Sequence, residues 1–129
     1  MRNFLATVAG LVTAFLLIAA FQMVGHSIWP PPIGMDPTKP ESIEAFMPLI
    51  PVGAMLFVAL AHLMGGLIGS LVGYFVAKRN RIPGLIILGL VFAGSAANLM
   101  MISHPIWFMA LDLGLIIIAF LLFLKFAKK

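Results

Sequence analysis

Charge is what this chain lacks most. Only 9% of its 129 residues are charged, against about a quarter in a soluble domain. Cysteine is absent, which excludes disulfides and thiolate metal ligation and leaves the redox compartment open. The signatures of soluble enzymes are missing too. There is no Walker loop, no G-x-S-x-G, no H-E-x-x-H and, within the apolar runs, no pair of carboxylates at helical spacing. Gly65-Gly66-x-x-Gly69 is glycine-rich but lies within an apolar run, where no phosphate reaches it.

What the chain has in excess is hydrophobic surface. Apolar residues make up 63% of it, and its mean hydropathy is +1.17. A chain this short cannot hide that much apolar surface from water, so its solvent is lipid and it forms at most one domain. The formal charge of +4 does not point to nucleic acid, because the basic residues stand at the ends of apolar runs and form no patch.

Four runs are long enough to cross a hydrocarbon core, which takes about 20 apolar residues. They cover residues 4–25, 48–77, 83–102 and 105–126. Prolines stand in the first turns of the last three (Pro48 or Pro51, Pro83, Pro105), where helices tolerate them. The first run follows Arg2 and is too long for a signal-peptide core. No A-x-A site follows it, so an uncleaved anchor is expected. The expected fold is an all-α integral membrane four-helix bundle.

Charge sets the orientation. Arg2, Lys78, Arg79, Arg81, Lys125, Lys128 and Lys129 fall on one side of this arrangement, and only Lys39 falls on the other. The positive-inside rule then puts both termini and the 78–82 loop in the cytoplasm. Asp36, Glu41 and Glu44 lie in the opposite, outer loop. Trp29 and Trp107 at the outer boundary and Tyr74 near the inner one are the expected interface anchors.

The outer loop, residues 26–47, is the only substantial segment outside the spans. Trp29-Pro30-Pro31-Pro32 favours an extended polyproline-type stretch. Thr38-Lys39-Pro40-Glu41 has the spacing of a capping box, with Thr38 as the cap. Ile43, Phe46, Met47 and Ile50 follow at helical spacing, with Glu41 and Glu44 pointing elsewhere. A short amphipathic helix on the outer membrane surface is expected, then an elbow at Pro48. Such a loop serves as a stiff connector, a docking site or a lid.

Two patterns inside the spans bear on function. Ala61, Gly65, Gly69, Gly73 and Ala77 place a small residue at every fourth position, a groove for a close helix neighbour. Gly89, Ala93 and Ala97 repeat the spacing in the third span. The second pattern is polar: Gln22, His62, Ser95, Asn98 and Asp112. Polar groups at membrane depth are costly and are functional suspects by default. At about 100° per residue, His62 falls within the small-residue face and points at other helices. At about 1.5 Å per residue, Asn98 and Asp112 lie roughly 8 to 10 Å in and His62 roughly 20 Å in. The expected arrangement is a polar cluster in the outer leaflet with the histidine beneath it, serving either as internal hydrogen bonds or as a small cavity. His26 and His104 are near the surface, so the three histidines are not expected to share a metal or haem, and no cofactor is expected.

Trp29-Pro30-Pro31-Pro32, Gly34-Met35-Asp36-Pro37, Leu60-Ala61-His62 and the segment from Asn98 through His104-Pro105-Ile106-Trp107-Phe108 resemble a family of small four-span bacterial inner-membrane proteins. The resemblance covers most of the chain. It implies architecture and a bacterial source, and it assigns no activity and no catalytic residue. Small multidrug exporters fit less well, since their membrane glutamate in the first span is missing. Fluoride channels also fit less well, since their phenylalanine- and threonine-rich motif is missing.

The functional expectation is a non-enzymatic inner-membrane protein. It would be an accessory or assembly subunit, or a self-associating scaffold, with the lipid bilayer and either further copies or a larger membrane complex as partners. The alternatives are a small oligomeric transporter or channel lined by the polar cluster, and a membrane enzyme acting on a lipid or quinone.

Overall fold

The computed structural model describes residues 1–128; Lys129, counted above among the basic residues, lies outside the described residues. The chain is all-helical among them. Helix α1 spans Arg2–Ile28, α2 spans Pro40–Phe46, α3 spans Val52–Val76, α4 spans Ile82–Met101 and α5 spans Ile106–Phe126. A 3-10 turn, Met47–Leu49, joins α2 to α3. Helices α1, α3, α4 and α5 are each long and apolar enough to cross a membrane.

Proline sets the helix starts. Pro51 caps α3, Pro83 stands in the first turn of α4 and Pro105 caps α5. Each sits where the amide would have no intrahelical partner. Pro48 falls in the 3-10 turn instead, so the second span starts at Val52, four residues later than position 48.

Helix α3 is the centre of the bundle and packs on the other three long helices. Helices α3 and α4 lie along the short diagonal, with α1 and α5 at the far corners. The α1–α3 contact is the most extensive, and its closeness follows from paired ladders of small residues. Ala6, Gly10 and Ala14 of α1 face Gly65, Gly69 and Gly73 of α3. A Cβ added at Gly69 would lie 2.6 Å from the Gly10 carbonyl oxygen, and one added at Gly10 would lie 2.5 Å from the Gly69 carbonyl oxygen. Backbone atoms cannot swing aside, so only glycine fits at this crossing. The α1 ladder has the same four-residue spacing as the α3 ladder, which is the sequence signal that could have paired them.

The α3–α4 diagonal is closed by a different device. Ser70 Oγ lies 2.6 Å from the Gly66 carbonyl and 3.1 Å from the Gly84 carbonyl, so one hydroxyl proton ties α3 to α4. The Phe123 ring of α5 lies against Gly84 from the other side.

Asn3, the 77–81 turn and the C-terminal end meet at one end of the bundle. Asn80 Nδ2 donates to Asn3 Oδ1 at 3.3 Å, and Arg81 Nε donates to the Ala127 carbonyl. Tyr74, an expected interface anchor, lies at this end, and its ring is buried edge-on against Phe123. It therefore packs inside the bundle and presents little surface to headgroups. At the opposite end, α2 lies over the 102–105 turn, where Glu44 Oε1 accepts the Ser103 amide at 2.6 Å.

The expected capping box does not form. Lys39 stands at the N-cap of α2 and makes no side-chain cap bond. The Thr38 amide donates to Asp36 Oδ1 at 2.9 Å, closing a local Asx turn, and the Thr38 hydroxyl donates to the same oxygen at 2.6 Å instead of capping the helix. The amphipathic pattern of α2 is as expected: Ile43, Phe46, Met47 and Ile50 are half-buried while Glu41 and Glu44 are exposed.

Candidate functional site

The apolar core falls into two clusters. One is built on Tyr74, Leu88, Ala119 and Phe123, the other on Met55, Ala59, Leu99 and Phe108. Between them lies a polar layer with one residue from each of three helices: His62 of α3, Ser95 of α4 and Asp112 of α5.

His62 Nδ1 and Asp112 Oδ1 are 2.7 Å apart, and Ser95 Oγ donates to Asp112 Oδ2. Each carboxyl oxygen therefore has one partner. Asp112 is 1% exposed and Ser95 4%. A buried carboxyl survives in such surroundings because its hydrogen bonds replace those of water.

The contact sets the register of α3 against α5. Because α3 starts at Val52, His62 lies about 15 Å along the helix, roughly 6 Å shallower than a start at Pro48 implies. Asp112 lies about 9 Å along α5. Their contact therefore means that α5 begins about a turn lower than α3.

Gln22 and Asn98, expected in the same cluster, are not in the layer. They line a separate cavity nearer the outer-loop end, of about 310 Å3. A smaller cavity, of about 250 Å3, lies between α1, α3 and α4, with His62 and Ser95 on its wall beside Leu11, Phe15, Ile18 and Leu90. The His62 side chain is 14% exposed, and its Nε2 has no hydrogen-bond partner among the described residues. An imidazole held through Nδ1 by a carboxylate, with Nε2 facing a cavity, is oriented to accept or release a proton.

The arrangement differs from a hydrolytic triad. There the serine bonds the imidazole, whereas here Ser95 bonds the carboxylate. Among the described residues, no three His, Asp or Glu side chains gather as a metal-ligand set. His104, in the turn before α5, stacks on Phe108 and has its Nδ1 2.7 Å from the Ile102 carbonyl, eight residues ahead of Asp112 and outside the polar layer.

Outside the spans, the carboxyl of Glu44 is held below its ordinary range, chiefly by the Ser103 backbone amide and then by the Ser103 side chain, with His104 adding a smaller attraction. Asp36 is lowered likewise, first by the Thr38 hydroxyl and then by the Thr38 amide.

No family model, curated protein or solved structure matches the chain. Four long apolar helices make it a multi-pass membrane protein.

Proposed function

We propose that this chain is a non-enzymatic bacterial inner-membrane protein that works as a subunit of a larger membrane assembly, homo-oligomeric or with other chains. Both termini and the 77–81 turn face the cytoplasm, and α2 lies on the outer surface of the bilayer. The distribution of basic residues supports this orientation.

The observation that carries the subunit reading is a second small-residue stripe that nothing covers. The ladder from Ala61 to Gly73 is occupied by α1 of the same chain and is not free for a partner. Gly89, Ala93 and Ala97 of α4 are exposed at the same four-residue spacing, and a Cβ at Gly89 would meet nothing within 4 Å. In lipid, such a stripe is where another backbone approaches closely. Native mass measurement in mild detergent, backed by crosslinking, tests the proposal. The wild type should run as an assembly larger than one chain, and Ala93→Leu should dissociate it. A wild type that is monomeric and gains no crosslinked partner would overturn it.

A second reading has its own observation. The oriented His62–Asp112 pair beside a cavity supports proton-linked transport in an oligomer. On that reading Asp112→Asn abolishes flux in proteoliposomes while leaving insertion and assembly intact. No flux in the wild type, or equal flux in the variant, would rule it out.

A further inference from the structure

The outer cavity is larger than the one beside His62 and plays no part in the polar layer or the α4 stripe. Its volume is about 310 Å3. The last turns of α1, the first turns of α3 and the 98–108 segment form its wall, and the Pro30–Pro31–Pro32 stretch with α2 roofs it.

Three features of the lining select a ligand chemistry. The first is charge: no Lys, Arg, Asp or Glu lines the cavity, so it offers no fixed charge to pair with a phosphate or an ammonium headgroup. The second is aromatic surface. Phe21, Trp29, Phe57 and Phe108 line it, and Phe57 stands 5.7 Å from Phe21 and 5.8 Å from Trp29, ring centre to ring centre. Flat rings pack on such walls at these spacings. The third is unmet hydrogen bonding. Gln22, Asn98 and His26 line the cavity, Gln22 half-buried and the other two exposed, and their side chains have no partner among the described residues. Gln22 lies about 9 Å inside the outer end of α1, where water is scarce and an unpaired amide is expensive.

A neutral ring carrying carbonyl or hydroxyl oxygens satisfies all three features. We propose that this cavity binds the head of a lipid-soluble ring amphiphile of the quinone or quinol class, with its apolar tail leaving toward the bilayer. Gln22, His26 and Asn98 bond the ring oxygens, and Phe21, Trp29 and Phe57 hold the ring plane. The floor of the site lies one helical turn above the polar layer, since Val58 precedes His62 by four residues and Asn98 follows Ser95 by three. The inference rests on membrane placement alone and is independent of the subunit reading.

Trp29 is a built-in reporter, because the chain has only two tryptophans. In the Trp107→Phe variant, reconstituted in nanodiscs, a short-chain benzoquinone with a decyl tail should quench Trp29 saturably. Half-saturation should be on the order of micromolar, and Gln22→Leu with Asn98→Leu should weaken binding about tenfold or more. Decylbenzene, which has the tail and ring without the oxygens, should fail to displace the quinone, a comparison that needs no altered site. Quenching that rises linearly with quinone, or equal displacement by decylbenzene, would overturn the proposal. So would displacement of the quinone by a short-chain anionic phospholipid at concentrations below those at which the quinone itself half-saturates.

Discussion

The imidazole of His62 and the carboxyl of Asp112 meet at 2.7 Å across 50 residues of chain, with Ser95 on the second carboxyl oxygen. The three groups join α3, α4 and α5 at one level and divide the apolar core into two clusters.

The layer acts as a unit, and its members should be coupled. Asp112→Ala leaves His62 and Ser95 without their partner and should cost about 2 to 3 kcal/mol in reversible unfolding in mild detergent. Ser95→Ala should cost about 1 kcal/mol. In a double-mutant cycle, Asp112→Ala and His62→Leu should fall short of additivity by about 1 kcal/mol. Additive losses would show that the pair carries no interaction of its own.

The glycines of the chain should not respond alike. Gly69→Ala and Gly10→Ala put a methyl group against a backbone carbonyl of the neighbouring helix and should destabilise the bundle by about 2 kcal/mol or more. At Gly114 an added Cβ meets nothing within 4 Å. There alanine should be neutral or should stabilise by about 0.5 to 1 kcal/mol, because glycine is a poor helix residue. Melting temperatures of the three variants decide the point.

At the end of the bundle where the two termini meet, α3 stops on an unusual turn. Arg79 N–H bonds the Tyr74 carbonyl at 2.9 Å and Lys78 N–H the Phe75 carbonyl at 3.0 Å, the paired bonds of a Schellman motif. Lys78 takes the left-handed position of that motif, with φ 54, where glycine is favoured. Lys78→Gly should therefore stabilise the chain by up to about 1 kcal/mol. A fall in melting temperature would contradict the reading of this turn.

The contact between α2 and the 102–105 turn should depend on acid. The Ser103 amide holds the Glu44 carboxyl below its ordinary value, so the contact is complete above the usual glutamate range and is lost as pH falls through the lowered value. The Ser103 amide resonance should titrate with a midpoint below that of a free glutamate, and Glu44→Gln should remove the transition. A midpoint at or above the free value would mean that the contact does not form in solution.

The spans and the helical pattern of the outer loop were legible because they depend on residue type and spacing alone. The inward direction of His62 was legible for the same reason. The partner of the α3 ladder was not read, although Ala6, Gly10 and Ala14 carry the same spacing. A ladder shows that a helix can be approached but not by which helix. Ser70 was missed because a serine bonding its own helix looks like any other, and its role depends on Gly84 lying opposite. The proposed five-member polar cluster separates into His62, Ser95 and Asp112 below and Gln22 and Asn98 above. One-dimensional depth assumes that all helices start level, whereas the 3-10 turn at Met47–Leu49 delays α3.

The central claim is a bundle that crosses the membrane four times, with Asn3, the 77–81 turn and the C-terminal end together. The chain contains no cysteine, so single-cysteine labelling has no background. A membrane-impermeant maleimide should label Lys39→Cys in intact spheroplasts. It should label Arg79→Cys and Lys128→Cys only after the membrane is opened. Labelling of Arg79→Cys and Lys128→Cys from opposite sides would contradict the four-crossing bundle, and labelling of both from outside would reverse its orientation.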